Sequence, residues 1–172
     1  MQRLENTRPG LVAALLCCWA GHMAAAETPA PTATVKIAVF PFELEDFSAA
    51  ASVVARDAEK SHLAEATEEA KQQLVESGRY SLIDTKGAET DKALQDCEGC
   101  EATLAAKLGA DQSLLGVVSK ISNTEYVIKL KVRDARSGEI VANYTSELRM
   151  GADYSWPRGV RSSMKNHLLV AK

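Results

Sequence analysis

The chain has 172 residues, 46% of them hydrophobic and 25% charged, with 20 Lys and Arg set against 23 Asp and Glu for a net charge of −3. Both signs are interspersed and no basic block stands out, which excludes the electrostatic footprint of a nucleic-acid or anionic-membrane binder. One folded domain of this size buries roughly 70% of its unfolded surface, enough to be stable without many cross-links.

Arg3 and Arg8 precede an apolar run, Leu11 to Trp19, and a small-residue stretch ends at Ala24-Ala25-Ala26. That is the order of a secretory signal peptide, expected over residues 1–26. The run is too short to span a bilayer, so no transmembrane segment is expected in the mature chain. Cys17 and Cys18 fall in the apolar run and leave with it. A lipid-anchored cysteine is less favoured, because Leu16 and Cys17, not small residues, precede the two candidates. The mature chain is therefore expected to be periplasmic or secreted. Residues 27–34 are Pro-rich and read as a flexible leader, and residues 35–172 read as a single α/β domain.

From Val35 the pattern changes. Val35, Ile37 and Val39 alternate with Lys36, Ala38 and Phe40 before Pro41, a nearly continuous apolar run that predicts a strand buried on both faces. Residues 43–48 read as an acidic loop, with Ser48 as a helix N-cap and a long helix running to Glu76, weakest between Arg56 and Ser61. Leu63, Ala66, Ala70 and Leu74 form its narrow apolar face, and Ser77-Gly78 stops it. Tyr80 to Ile83 predicts a short strand. Cys97 opens a short helical pattern that closes at Gly109. Leu114 to Ile121 predicts another strand, apolar except for Ser119 and Lys120. Tyr126, Ile128, Leu130 and Val132 alternate with Val127, Lys129, Lys131 and Arg133, which predicts a strand with one wet face. After a turn at Asp134 to Gly138, Ile140, Ala142 and Tyr144 resume the alternation, giving an antiparallel meander. A last helix starts near Ser155 with Pro157 in its first turn, and Trp156, Val160, Met164 and Leu168 share its apolar face.

Cys97-Glu98-Gly99-Cys100 is the motif with the most specific chemistry. In an exported chain it favours a structural disulfide, worth only ~2 kcal/mol for so small a loop. The rival reading is thiol–disulfide exchange, since a helix N-terminus lowers a cysteine's pKa. Asp96, Glu98 and Glu101 oppose that by disfavouring a thiolate. A zinc site is a third reading, but the mature chain offers only His62 and His167 as further nitrogen ligands, far apart in sequence. Glu43, Glu45 and Asp46 follow the first strand, where α/β proteins place binding loops; a solvated loop is the simpler account. No Gly-rich phosphate loop or nucleophile elbow is present. Tyr154 and Trp156 offer a binding surface, although Trp156 begins the apolar stripe of the last helix.

Four stretches carry a family resemblance: Ile37-Ala-Val-Phe-Pro-Phe-Glu-Leu-Glu-Asp46; Ser77-Gly-Arg-Tyr-Ser-Leu-Ile-Asp84; Cys97-Glu-Gly-Cys100 with Ala106-Lys-Leu-Gly-Ala-Asp111; and Gly116-Val-Val-Ser-Lys-Ile-Ser122 with Asp134-Ala-Arg-Ser-Gly138. Together they resemble a family of small exported bacterial proteins of uncharacterised function described as predicted lipoproteins (DUF2380/DUF3280-like). More remotely, the chain is similar to the amino-terminal domain of TolB. The resemblance implies a mixed sheet with an antiparallel meander covered by helices, and an envelope role through protein contacts. It supplies no catalytic, cofactor-binding or metal-ligating residue.

The leading expectation is thus a non-enzymatic periplasmic or cell-envelope accessory domain, partnered by another envelope protein, with Cys97 and Cys100 as a disulfide. The alternative is a periplasmic thiol–disulfide oxidoreductase using the same two cysteines.

Overall fold

A computed structural model of the chain describes residues 33–49, 51, 55–88 and 92–170. The expected signal peptide at residues 1–26 and most of the leader lie outside them. The strands are β1 (Val35–Val39), β2 (Glu43–Asp46), β3 (Tyr80–Ile83), β4 (Gln112–Ser122), β5 (Glu125–Asp134), β6 (Ile140–Thr145) and β7 (Arg149–Met150). The α-helices are α1 (Asp57–Glu76), α2 (Cys100–Lys107) and α3 (Trp156–Ser163). Single 3₁₀ turns at Leu94–Asp96 and Asp153–Ser155 precede α2 and α3, and a π turn at Met164–Leu168 continues α3.

The described strands form one mixed sheet in the order β3-β1-β4-β5-β6. β1 runs parallel to both β3 and β4, and β4, β5 and β6 form the expected antiparallel meander. β4 is long enough to serve two partners. Its first half pairs with β1, Val39 opposite Leu114, and its second half pairs with β2, Glu43 opposite Val117. Pro41, which has no N–H to give a ladder, separates the two. The break is bridged from α1, where the Thr67 hydroxyl accepts the Phe42 N–H at 2.9 Å. The Phe42 ring lies over Gly116 of β4, and a Cβ there would collide with it.

Two cores explain why β1 and β4 are apolar on both sides. Ile37, Val39, Leu114, Val118, Ile128 and Leu130 face the helix pair α1 and α3, meeting Leu63, Ala66, Ala70, Leu74, Trp156 and Val160. Ala38, Phe40, Leu115 and Val117 face the other way, towards Leu94 and Ala105 of the α2 region. A parallel strand buried in this way has no polar face to show in its sequence. β5 alternates because helices cover only one side of it, burying Tyr126, Ile128, Leu130 and Val132.

Three expectations are corrected. Residues 43–46 form strand β2, not an acidic loop. The long helix starts at Asp57, where the Arg56 N–H donates to Glu59 Oε2 at 2.8 Å, and not after Ser48. The Ser48 N–H is taken by Asp46 Oδ1 at 2.8 Å, a local turn that competes with helix entry. The second helix begins at Cys100 rather than Cys97, since residues 97–99 form its approach.

Candidate functional site

Each chemically promising group can be followed to its neighbours. Cys97 and Cys100 are disulfide-bonded, with Cα atoms 5.6 Å apart. Between them Gly99 sits at φ 83°, a left-handed conformation that L side chains rarely adopt, so the tight approach to α2 depends on glycine. Glu101, in the first turn of α2, is buried, and its Oε1 accepts from Arg133 Nε at 2.9 Å. Arg133 also donates to the Gly138 carbonyl at 2.8 Å, tying α2 to β5 and to the turn that follows it. The half-cystines therefore stand beside a structural ion pair.

The three acidic residues of β2 are likewise engaged. Both carboxylate oxygens of Glu43 accept backbone N–H groups of the 3₁₀ turn, from Leu94 at 2.6 Å and Gln95 at 2.8 Å. Glu45 accepts from Lys129 Nζ and from the Ser119 hydroxyl, each at 2.6 Å. The lysine bond, followed by the serine bond, holds the Glu45 carboxyl below its ordinary range. Asp46 makes the turn with Ser48 described above.

His62 and His167 are not brought together. His62 lies 3.4 Å from Glu65 and edge-on to Trp156, whereas His167 stacks on Tyr144 with ring centres 4.0 Å apart. Among the described residues no group of three or more His, Cys, Asp or Glu side chains could hold a metal ion. Trp156 is 1% exposed and packs in the core, while Tyr154 is 70% exposed beside Arg56 and His62.

The residue that sequence reading least prepared for is Lys120. It is fully buried in β4, and its Nζ lies 2.7 Å from Glu59 Oε1 and 3.4 Å from Asp153 Oδ1. Glu59 is also bonded by Arg56. Chiefly through Arg56, and then through Lys120, its carboxyl is held down at about 2 in spite of burial. A second helix-locking pair joins Glu69 of α1 to Arg161 of α3 through two bonds of 2.6 and 2.7 Å. The guanidinium keeps the Glu69 carboxyl low. These carboxylates are anchored ions. They are not poised to exchange protons near neutrality.

What remains open is the meander's outer end. On the face away from α1 and α3, Leu115 and Val117 floor a cleft of about 290 Å³ walled by Lys129, Lys131, Asn143 and Thr145. On the opposite face, Val132, Ala142, Tyr144, Leu168 and Val170 line a groove of about 780 Å³ with Arg79 and His167 on its rim. β6 runs between the two. The expected inward alternation is corrected at its start: the register slips between Val132 and Arg133, so Val141 is an extra residue. Ile140 and Val141 are left 50% and 51% exposed. No helix among the described residues is long and apolar enough to cross a membrane.

No curated protein matches the sequence. Among solved structures, the chain is similar to lipoprotein GNA1162 from Neisseria meningitidis at 17% identity and a TM-score of 0.51, over 80% of this chain and 98% of that one. The C-terminal domain of LpoB from Salmonella enterica gives 17% identity and a TM-score of 0.46, over 67% and 82%. TolB from Acinetobacter baumannii gives 14% and 0.48, over 81% of this chain but only 29% of TolB. At such identities the first of these likenesses speaks for the fold alone. Residues 35–168 match the family described as protein of unknown function (DUF2380), and the chain belongs to that family, DUF3280.

Proposed function

We propose that this chain is a non-enzymatic cell-envelope domain that acts by binding another protein, after export and removal of residues 1–26. The observation that carries the reading is the open margin of the meander. β6 has no strand on its outer side among the described residues, Ile140 and Val141 stand half exposed, and Val141 borders a groove of mixed polar and apolar lining. Apolar surface kept at a sheet edge is a recognised feature of interaction sites. The groups that would otherwise suggest catalysis are tied into contacts that hold elements together: Glu43 and Glu45 on β2, Glu59 and Lys120 beneath α1, Glu101 and Arg133 beneath α2.

Chemical crosslinking in the periplasm followed by purification of a tagged chain tests the reading. The expected result is one stable protein partner, lost on Val141→Asp. Recovery of the chain alone, together with insulin-disulfide reduction that disappears in Cys97→Ser, would overturn it in favour of thiol–disulfide exchange.

A further inference from the structure

We infer that β6 is the seat of an added strand: an extended segment of a different protein completes the sheet at Ala142–Thr145, its apolar side over the groove and an acidic side chain towards Lys131. This deepens the protein-binding reading and rests on it.

Hydrogen-bond parity identifies the groups that such a strand would meet. The Ser146 N–H donates to the Ile128 carbonyl at 2.8 Å, and the register continues in steps of two through Leu130 opposite Tyr144 and Val132 opposite Ala142. In an antiparallel ladder, residues of such pairs turn both backbone groups towards their partner, and the residues between them turn both groups away. The N–H and C=O of Asn143 and Thr145 therefore point outward from β5. Among the described residues no strand takes them.

The chemistry of the partner follows from what flanks this edge. Lys131 lines the cleft beside Asn143, and among the described residues no ion pair or side-chain hydrogen bond engages its ammonium. Its neighbour Lys129 is already held by Glu45; Asp96 stands on the cleft wall from the 3₁₀ turn, and Glu98 and Glu101, which share a recess with Lys131 on the α2 side, are paired with Arg133. On the groove side Arg79 places a positive charge on the rim, and among the described residues no carboxylate lines it. Lys131 is the register partner of Asn143, so an acidic residue opposite Asn143 lies two strand spacings from it, about 10 Å, a span that a long lysine and a glutamate side chain close between them on the same face.

A second copy of this chain fits poorly. β6 itself carries no acidic residue, but Glu139 and Glu147 sit immediately outside its two ends and are exposed. Antiparallel self-pairing that sets Asn143 opposite Asn143 brings Glu139 of one copy alongside Glu147 of the other, at both ends. Like charges facing across a ladder are destabilising.

The test is photo-crosslinking in the native host, with p-benzoylphenylalanine placed at Val141 or at Tyr154 of the full chain. The expected outcome is a Val141 adduct with a different protein, whose crosslinked segment is extended and acidic by peptide mapping. Asn143→Pro removes an outward N–H without touching the β5 ladder, and should cut adduct yield about tenfold for one lost hydrogen bond while leaving the thermal melt unchanged. Lys131→Glu should reduce the yield and Lys131→Arg should keep it, which covers the case in which the proline variant does not fold. An adduct between two copies, an adduct to residues 27–34 of the same chain, or a yield unaffected by Asn143→Pro and Lys131→Glu would overturn the proposal. A partner captured from Tyr154 and not from Val141 would overturn the edge while leaving protein binding in place. Silence at both positions would overturn both.

Discussion

Replacing Lys120 by Met is the sharpest probe of how this fold is held together. Lys120 and Glu59 are each 1% exposed and 2.7 Å apart, joining β4 to the first turn of α1. Removing one partner of a buried pair strands the other charge, at about 3–5 kcal/mol. Here Arg56 still holds Glu59 from a side chain that is 60% exposed, so the lower end, about 3 kcal/mol, is expected. The double variant Lys120→Met with Glu59→Met removes both charges and should return to within ~1 kcal/mol of the wild type. The pH dependence gives a second reading of the same site. In the folded chain the Glu59 carboxyl is depressed to about 2 from an ordinary 4.5. A depressed carboxylate stabilises the fold above the unfolded value, and that contribution drains away as pH falls from about 4.5 towards 2. It amounts to about 3 kcal/mol at 1.36 kcal/mol per pH unit. Urea unfolding of the purified chain, followed by circular dichroism at pH 7 and pH 3, measures both effects. Glu59→Gln should flatten the acid limb. A Lys120→Met cost below ~1 kcal/mol, or single-variant costs that simply add in the double variant, would refute the reasoning.

Gly116→Ala should destabilise by about 1–3 kcal/mol, because its Cβ meets the Phe42 ring. Phe42→Leu should absorb part of that loss in a thermal melt, and equal losses in both backgrounds would show that the ring is not the cause. Replacing Cys97 and Cys100 together by Ser should cost about 2 kcal/mol and leave the Val141 adduct intact. Any insulin-reducing activity that vanished with them would refute a structural bridge. Arg161→Ala breaks both hydrogen bonds to Glu69, but its side chain is 53% exposed, so only a small drop in the thermal melt is expected, shrinking at 1 M salt. A larger or salt-insensitive loss would mean that the pair is less hydrated than its exposure indicates.

The parts of the fold that were legible in the sequence are those set by local pattern. β5 announces itself through Tyr126, Ile128, Leu130 and Val132, because one side meets helices and the other meets water. β1 does so through a continuous apolar run, because Ile37 and Ala38 enter opposite cores. The helix stop at Ser77-Gly78 rests on a glycine at φ 67°. The misread elements depend on partners distant in sequence. β2 reads as an acidic loop because Glu43, Glu45 and Asp46 dominate it. Its strand character comes from pairing with β4, and its charges are answered by Leu94, Gln95 and Lys129. Lys120 looks like a wet interruption of an apolar strand until Glu59, 61 residues earlier, is placed against it. The candidate binding edge was hidden for a related reason. The alternation of Ile140, Ala142 and Tyr144 is genuine, but the slip at Val141 breaks it in space, and no sequence period records a bulge.

The sheet's edges are treated unequally, and that inequality argues for a partner at one of them. The outer rim of β2 is roofed by the 3₁₀ turn. Glu43 holds two of the turn's N–H groups, and Gln95 Nε2 donates back to the Leu44 carbonyl at 3.4 Å. β3 is kept to four residues. Short strands and covered rims are how natural sheets suppress unwanted pairing. β6 has six residues and no such roof among the described residues, and its ends are marked by Glu139, Glu147 and the Val141 bulge. Those features act against pairing with an identical edge while leaving the outward groups of Asn143 and Thr145 free for a strand of complementary charge. An edge that only had to avoid aggregation would place a charge on β6 itself, so introducing Lys at Asn143 is informative. If β6 is an idle edge, Asn143→Lys leaves stability and envelope function unchanged. If it is a binding edge, the variant stays folded and the Val141 adduct yield rises, because a second cation then stands beside Lys131, facing the partner's acidic side chain.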